Sequence, residues 1–134
     1  MAEIELKKKE FKYKGKAIEE LQKLDVREFA KMIKSRNRRY IFRNFQKLEG
    51  FINRAKKKQE KNKLIKTHHR DLIIVPQMIG MKLQVYNGRQ FTPFDVTGEM
   101  LGHKFGEFAP TRAKIQHSKS GVGATKGSKS KSKK

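Results

Sequence analysis

The chain has no cysteine and no tryptophan among its 134 residues, and only three prolines. Without cysteine there are no disulfides and no thiolate zinc site, a composition that fits a reducing cytosol. Acidic residues are scarce as well: 13 Asp and Glu stand against 34 Lys and Arg. Apolar residues make up 35%, below the roughly 45–50% usual for globular domains, a share that also counts glycine. The core should therefore be small for the length. No long apolar run is present, so no transmembrane helix is expected. The start is charged from Glu3 onward, so no signal peptide is expected either.

What the chain has in excess is positive charge, a formal net of +21. Such a charge opposes compaction by self-repulsion and creates a strong field for polyanions. Nucleic acid is the leading partner class, ahead of an anionic membrane surface. The charge is unevenly spread. Residues 64–112 carry six Lys/Arg against four Asp/Glu, residues 1–63 carry twenty-one against nine, and residues 113–134 carry seven against none. A nearly neutral module thus lies between two basic flanks, as suits one small domain with extensions.

The module has the pattern to fold. Leu72–Val75 is a short apolar run stopped by Pro76, which predicts a buried strand. Met81, Leu83 and Val85 alternate with Lys82, Gln84 and Tyr86, the period of a half-buried strand. Asn87-Gly88 predicts a two-residue type I′ hairpin turn, pairing Val85 with Gln90 and Leu83 with Thr92. Phe94 and Val96 then share the apolar face with Met81, Leu83 and Val85. The opposite face, with Lys82, Gln84, Tyr86, Arg89, Phe91 and Asp95, is basic and aromatic together. Pro93 lacks an N–H and marks an edge strand or bulge. Thr97 is a good N-cap for a short helix, with Glu99 in its first turn, Leu101 meeting Phe105, and Gly106 as the terminating glycine. Gly102 inside that helix would cost about 1 kcal/mol relative to alanine.

The segment Asn87–Arg112 resembles the signature of small-subunit ribosomal protein family nineteen (universal S-nineteen). The matching elements are Asn87-Gly88-Arg89, Pro93, Val96-Thr97, Met100, Gly102-His103-Lys104 and the run from Gly106 to Arg112. The preceding Lys66–Gly80 and the later Gly121–Thr125 also resemble the family. With the long N-terminal segment, they make the chain similar to its archaeal and eukaryotic branch. The expected fold class is α+β: a small three-stranded mixed or antiparallel sheet with a short capping helix, preceded by N-terminal helices and flanked by basic tails. The expected division is a basic arm over residues 1–16, a helical basic extension over 17–63, an RNA-binding module over 64–112 and a disordered tail over 113–134.

The flanks read more simply. Phe11, Tyr13 and Gly15 suggest an anchored arm over Met1–Lys16, and a disordered tail is the equally weighted alternative. Ala17–Leu24 reads as a short helix, and Asp25 with Glu28 forms a capping-box arrangement before the stripe of Phe29, Met32 and Ile33. A further helix is expected to begin with Ser35 as its cap. Arg36, Arg39 and Arg43 fall three or four residues apart on one face of it, beside Arg38, and no acidic residue lies between Arg36 and Lys47 to relieve their repulsion. A solvated charged face is the ordinary explanation of such a run, but arginine's fork suits bidentate phosphate contact. The run also resembles the family's arginine-rich segment. Gly50 should interrupt, and the lysines from Lys56 to Lys63 read as a helix fraying into a basic linker. The acid-free tail cannot bury enough apolar surface to fold alone.

No catalytic constellation is present. Asp71, Asp95, Glu99 and Glu107 each have a structural explanation, and nothing matches a Walker loop, a zincin helix or a nucleophile elbow. His68 and His69 are adjacent, which suits opposite sides of a strand better than one metal ion, and His103 and His117 have no obvious co-ligands. No metal and no cofactor are expected. The expected RNA contacts are Arg36, Arg38, Arg39 and Arg43; Lys66, Thr67, His69 and Arg70; Asn87, Gly88 and Arg89 at the hairpin tip; His103, Lys104 and Gly106; and Arg112 with Lys114. Lysine and arginine supply affinity by neutralising phosphates, while shape and 2′-hydroxyl contacts supply selectivity. The resemblance implies a non-enzymatic scaffold on small-subunit rRNA in the subunit head, next to an S-thirteen protein. It also implies a tail toward the tRNA sites and a place in the cytoplasmic ribosome. The rival reading is a DNA-binding architectural protein that uses Ser35–Phe45 as a groove helix.

Overall fold

The computed structural model describes residues 11–114. The expectations for residues 1–10 and for the tail from residue 115, including His117 and Gly121–Thr125, lie outside the described residues.

A two-stranded hairpin opens the described chain, β1 (Lys12–Tyr13) against β2 (Lys16–Ala17). Its turn places Lys14 and Gly15 at φ of 48° and 84°, and glycine makes the second of these inexpensive. Four helices follow: α1 (Ile18–Lys23), α2 (Val26–Met32), α3 (Ser35–Arg43) and α4 (Phe45–Glu60). Asp25 is the N-cap of α2 as expected, but its carboxylate accepts the N–H of Val26 at 2.8 Å rather than that of Glu28, so the capping-box bond is not made. Ser35 is the first residue of α3 and the N-cap is Lys34, with no side-chain cap bond. Gly50 does not interrupt. α4 runs through it, because Leu48, Phe51, Ile52 and Ala55 bury one continuous stripe and outweigh one glycine's cost. The break falls at Asn44 instead, between α3 and α4. α4 ends in a Schellman arrangement: Asn62 sits at φ 50°, its N–H reaches the Gln59 carbonyl, and the N–H of Lys63 reaches the carbonyl of Lys58.

The main sheet has three strands in the order β3 (Ile65–Thr67), β4 (Lys82–Tyr86), β5 (Phe91–Asp95). β3 runs parallel to β4 and β5 antiparallel to it, so the sheet is mixed and the fold is α+β. Pro93 lies on the edge strand β5, where its missing N–H is harmless.

Three local expectations are corrected. The Leu72–Val75 run is fully buried but is not a strand of the sheet, since β3 and β5 occupy both edges of β4. It pairs instead with the segment after Gly102: the N–H of Ile74 bonds the carbonyl of His103, that of Gly102 bonds Ile74, and that of Phe105 bonds Leu72. The hairpin register is also shifted by two. Tyr86 pairs with Phe91, Val85 with Thr92 and Leu83 with Phe94. Only Gly88 of the Asn87-Gly88 pair has positive φ. The Asn87 side chain accepts the N–H groups of Arg89 and Gln90 at 2.9 and 2.8 Å, which holds a four-residue turn open. A slip of two keeps every side chain on its face, so the expected apolar and basic-aromatic faces survive. Finally, the capping helix is two short 3₁₀ turns, Gly98–Met100 and Phe105–Phe108. Gly102 lies between them at φ 79°, so no helix-interior cost applies, and Gly106 lies inside the second turn rather than ending a helix.

One buried cluster takes in Leu21, Phe29, Ile41 and Leu48 from the helices together with Ile73, Leu83 and Phe105. Burying each such side chain contributes about 1.5–3 kcal/mol. Phe51 of α4 meets Phe105 edge-on at 5.4 Å between centroids. The hairpin arm is tied down as well: Tyr13 lies 5.9 Å from Phe29, and Phe11 covers Gly98 so closely that a Cβ there would sit 2.7 Å from the ring.

Candidate nucleic-acid interface

α3 has no acidic residue in its first turn, and it turns Ile41 and half of Tyr40 inward. The helical period therefore leaves Arg36, Arg38, Arg39 and Arg43 exposed. A guanidinium N–H of Arg38 reaches the Ile33 carbonyl at 3.4 Å. At the far end, Arg27 stacks on the Phe45 ring at 4.5 Å. Beside them lies a shallow hollow of about 490 Å³ lined by Arg43, Lys47 and the exposed Phe42, among others.

α3 is fixed to the loop carrying His103 and Lys104. The Asn37 Nδ2 donates to the Gly102 carbonyl at 2.8 Å, and Lys104 Nζ lies 5.4 Å from the Tyr40 ring centre. The structure thus brings the arginine helix and the His103-Lys104 segment together. His103 Nδ1 lies 2.5 Å from Glu107 Oε2. Both side chains are about half exposed, so this is a surface pairing of modest value.

Behind that loop, Tyr40 and Lys47 converge on Asp71, at 2.5 and 2.8 Å from its Oδ2. Desolvation alone would raise the Asp71 carboxyl. The hydrogen bonds from Lys47 and Tyr40, with the lysine charge, outweigh it and hold the group down to about 2. Tyr40 is pushed well up, first by desolvation and then by its bond to Asp71.

A second basic surface lies between α4 and β3. A groove of about 340 Å³ is lined by Arg54, Lys58, Lys66, Thr67, His68 and His69 over a floor that includes Phe51 and Ile65. Lys66 and His69 are exposed; Thr67 is buried, and its hydroxyl accepts the N–H of His69 at 3.1 Å. Next to the groove, on the outer face of the sheet, three rings cluster. His68 lies 4.6 Å from Tyr86 and 5.2 Å from Phe91, and Tyr86 lies 5.1 Å from Phe91. Lys66 Nζ stands over Phe91 at 5.3 Å.

Two expected contact residues have internal duties. The Arg70 guanidinium donates to the carbonyls of Tyr86, Gly106 and Ala109 at 2.7, 2.9 and 2.6 Å. It locks the end of β4 to the second 3₁₀ turn. Gly106 packs on it: a Cβ there would lie 3.2 Å from both the Arg70 Cβ and its carbonyl oxygen. Gly88 and Arg89 at the hairpin tip, and Arg112 and Lys114 at the end of the described chain, are exposed, while Asn87 is half-buried. Among the described residues, no group of three or more His, Asp and Glu is placed to hold a metal ion, and no helix is long and apolar enough to cross a membrane.

The family model for ribosomal protein S19 matches residues 34–117, from the start of α3 through the signature. The small ribosomal subunit protein uS19 of the archaeon Saccharolobus solfataricus is 43% identical over 124 residues, covering 90% of this chain and 89% of the relative. The chain belongs to the ribosomal protein S19 family. As a member of the S19 family it is a structural, non-enzymatic ribosomal component.

The structure adds exposed His68, Arg54 and Arg27 to these surfaces, and it sets Lys58, from the Lys56–Lys63 run, in the groove. His68 was within reach: it is two residues beyond Lys66, the spacing that keeps side chains on one side of an extended chain, and that side is the basic-aromatic one. Arg54 and Lys58 are four apart on α4, but nothing local says that β3 returns alongside them.

Proposed function

We propose that the chain binds small-subunit rRNA in the head of the subunit and holds folded RNA there by neutralising phosphates on two surfaces. The observation that carries this reading is the exposed α3 arginine row fixed to the His103-Lys104 loop by Asn37, in a chain that belongs to a ribosomal family. The α3 row and the α4–β3 groove supply cations in an acid-poor setting, which favours phosphate contact. The 64–112 module would be the rRNA-recognising unit and the 17–63 helices a basic extension of it. The resemblance to the family supports two further placements: contact with an S-thirteen neighbour, and a C-terminal tail directed toward the tRNA sites of the cytoplasmic ribosome.

Competition between structured small-subunit rRNA and duplex DNA of equal phosphate content tests the reading. Preferential retention on rRNA at physiological salt is expected. Equal competition by duplex DNA would favour the architectural DNA-binding alternative, in which Ser35–Phe45 occupies a groove.

A further inference from the structure

We infer that the outer face of the main sheet is a stacking site for an unpaired RNA base, and that the α4–β3 groove takes the adjoining phosphates. This rests on the rRNA-binding reading and specifies which form of RNA this face receives: a single-stranded nucleotide, not duplex.

The rings of His68, Tyr86 and Phe91 form a near-equilateral set, with centroids 4.6 to 5.2 Å apart and mutual tilts between 51° and 75°. Cross-strand packing accounts for Tyr86 with Phe91, which are register partners. His68 follows β3 by one residue, and continuation of the β3–β4 register sets it beside Tyr86, yet its side chain stays exposed. The same register sets Lys66 beside Gln84, whereas its ammonium is held over Phe91, two strands away. The inner faces of these strands, at Leu83 and Val85, are fully buried, so the rings stand on the side away from the core. The Tyr86 hydroxyl donates to the Gly88 carbonyl at 3.1 Å, which fixes that ring before any ligand arrives. Fixed rings bind at low entropic cost.

The groove and the ring cluster are continuous, because His68 belongs to both. Arg54, Lys58 and Lys66 line the groove, and no acidic residue among the described ones does. Asp95 shares the outer face but stands at its far end, paired in register with Lys82. A cationic track leading onto exposed rings fits a nucleotide whose phosphate lies in the groove and whose base lies on the rings. An A-form duplex keeps its base faces inside the helix and cannot use them.

The test uses the full chain. Its complex with deproteinised small-subunit rRNA is irradiated with short-wave ultraviolet light, and nucleotide adducts are mapped by mass spectrometry. His68→Ala and Phe91→Leu are then compared with wild type for binding a short oligouridine and a blunt RNA duplex. Adducts on His68, Tyr86 or Phe91 are expected, with about a tenfold loss of oligouridine affinity in each variant and a much smaller loss for the duplex than for oligouridine. Because His68 is exposed, His68→Ala keeps the test independent of folding. Adducts confined to α3 with both variants binding oligouridine as wild type, or an equal loss for both probes, would overturn the stacking site alone. Failure of the wild-type chain to bind rRNA would overturn the rRNA-binding reading and the stacking site with it.

Discussion

The Tyr40 hydroxyl lies 2.5 Å from the Asp71 carboxylate, which also receives Lys47 at 2.8 Å. One side chain thereby ties α3 and α4 to the segment that enters the buried Leu72–Val75 run. The carboxylate is nearly half exposed, so the value of these bonds is reduced by solvent screening. Tyr40→Phe should cost about 1 kcal/mol, read as a lower urea midpoint at neutral pH.

The same clamp sets an acid dependence. The folded Asp71 is held down to about 2, below the roughly 3.9 of a free aspartate. Its contribution is therefore complete above about pH 4 and is lost as pH falls toward about 2. Asp71→Asn should be less stable than wild type at pH 7, and the difference should shrink across that window. Urea titrations of both proteins at a series of pH values check this; a gap that widens on acidification would contradict it.

Arg70 is predicted to matter for stability before it matters for RNA. Its fork serves three carbonyls on two separate segments, a geometry a lysine ammonium cannot reproduce. Arg70→Lys should destabilise by about 2 kcal/mol, since hydrogen bonds to a charged donor are the stronger class. Gly106→Ala presses a methyl against that residue's backbone carbonyl, which has little room to yield, and should cost about 1–2 kcal/mol. The two losses should be less than additive in the double variant, because they loosen the same joint. Denaturant midpoints of the three variants check both statements.

Much of the architecture was legible in the sequence, because period and turn chemistry act locally. Alternation over Met81–Tyr86 gave β4 and its two faces, and Asp25 announced α2. What was not legible depended on partners distant in sequence. Leu72–Val75 has the composition of a central strand, but β3 takes the edge of β4 that it would need. Asn87-Gly88 marked the hairpin, yet the Asn87 side chain chose a longer turn than the dipeptide alone suggests. Gly102 and Gly106 looked like helix features. One occupies a left-handed position and the other packs on Arg70 across the fold. Of the candidate interface, the α3 arginines and the His103-Lys104 segment were visible as charge and motif. The groove was not, since it exists only where α4 and β3 run side by side.

The α3 arginines should act chiefly through phosphates. Arg36→Glu and Arg39→Glu should each weaken rRNA binding across RNA sequences, and replacing either by alanine should lower the steepness of the salt dependence by about one unit. Filter binding at a series of salt concentrations measures the slope. Charge reversal at Lys104 or Arg89 should likewise reduce incorporation into subunits, and wild-type incorporation of both variants would remove them from the interface.

The central claim is that the chain is held specifically within the small subunit on its rRNA, and a sucrose-gradient profile of the native protein through a high-salt wash tests it most directly. Co-sedimentation with small subunits that survives the wash is the predicted result. Release at modest salt, or a position at the top of the gradient, would reduce the binding to generic electrostatics and contradict the account.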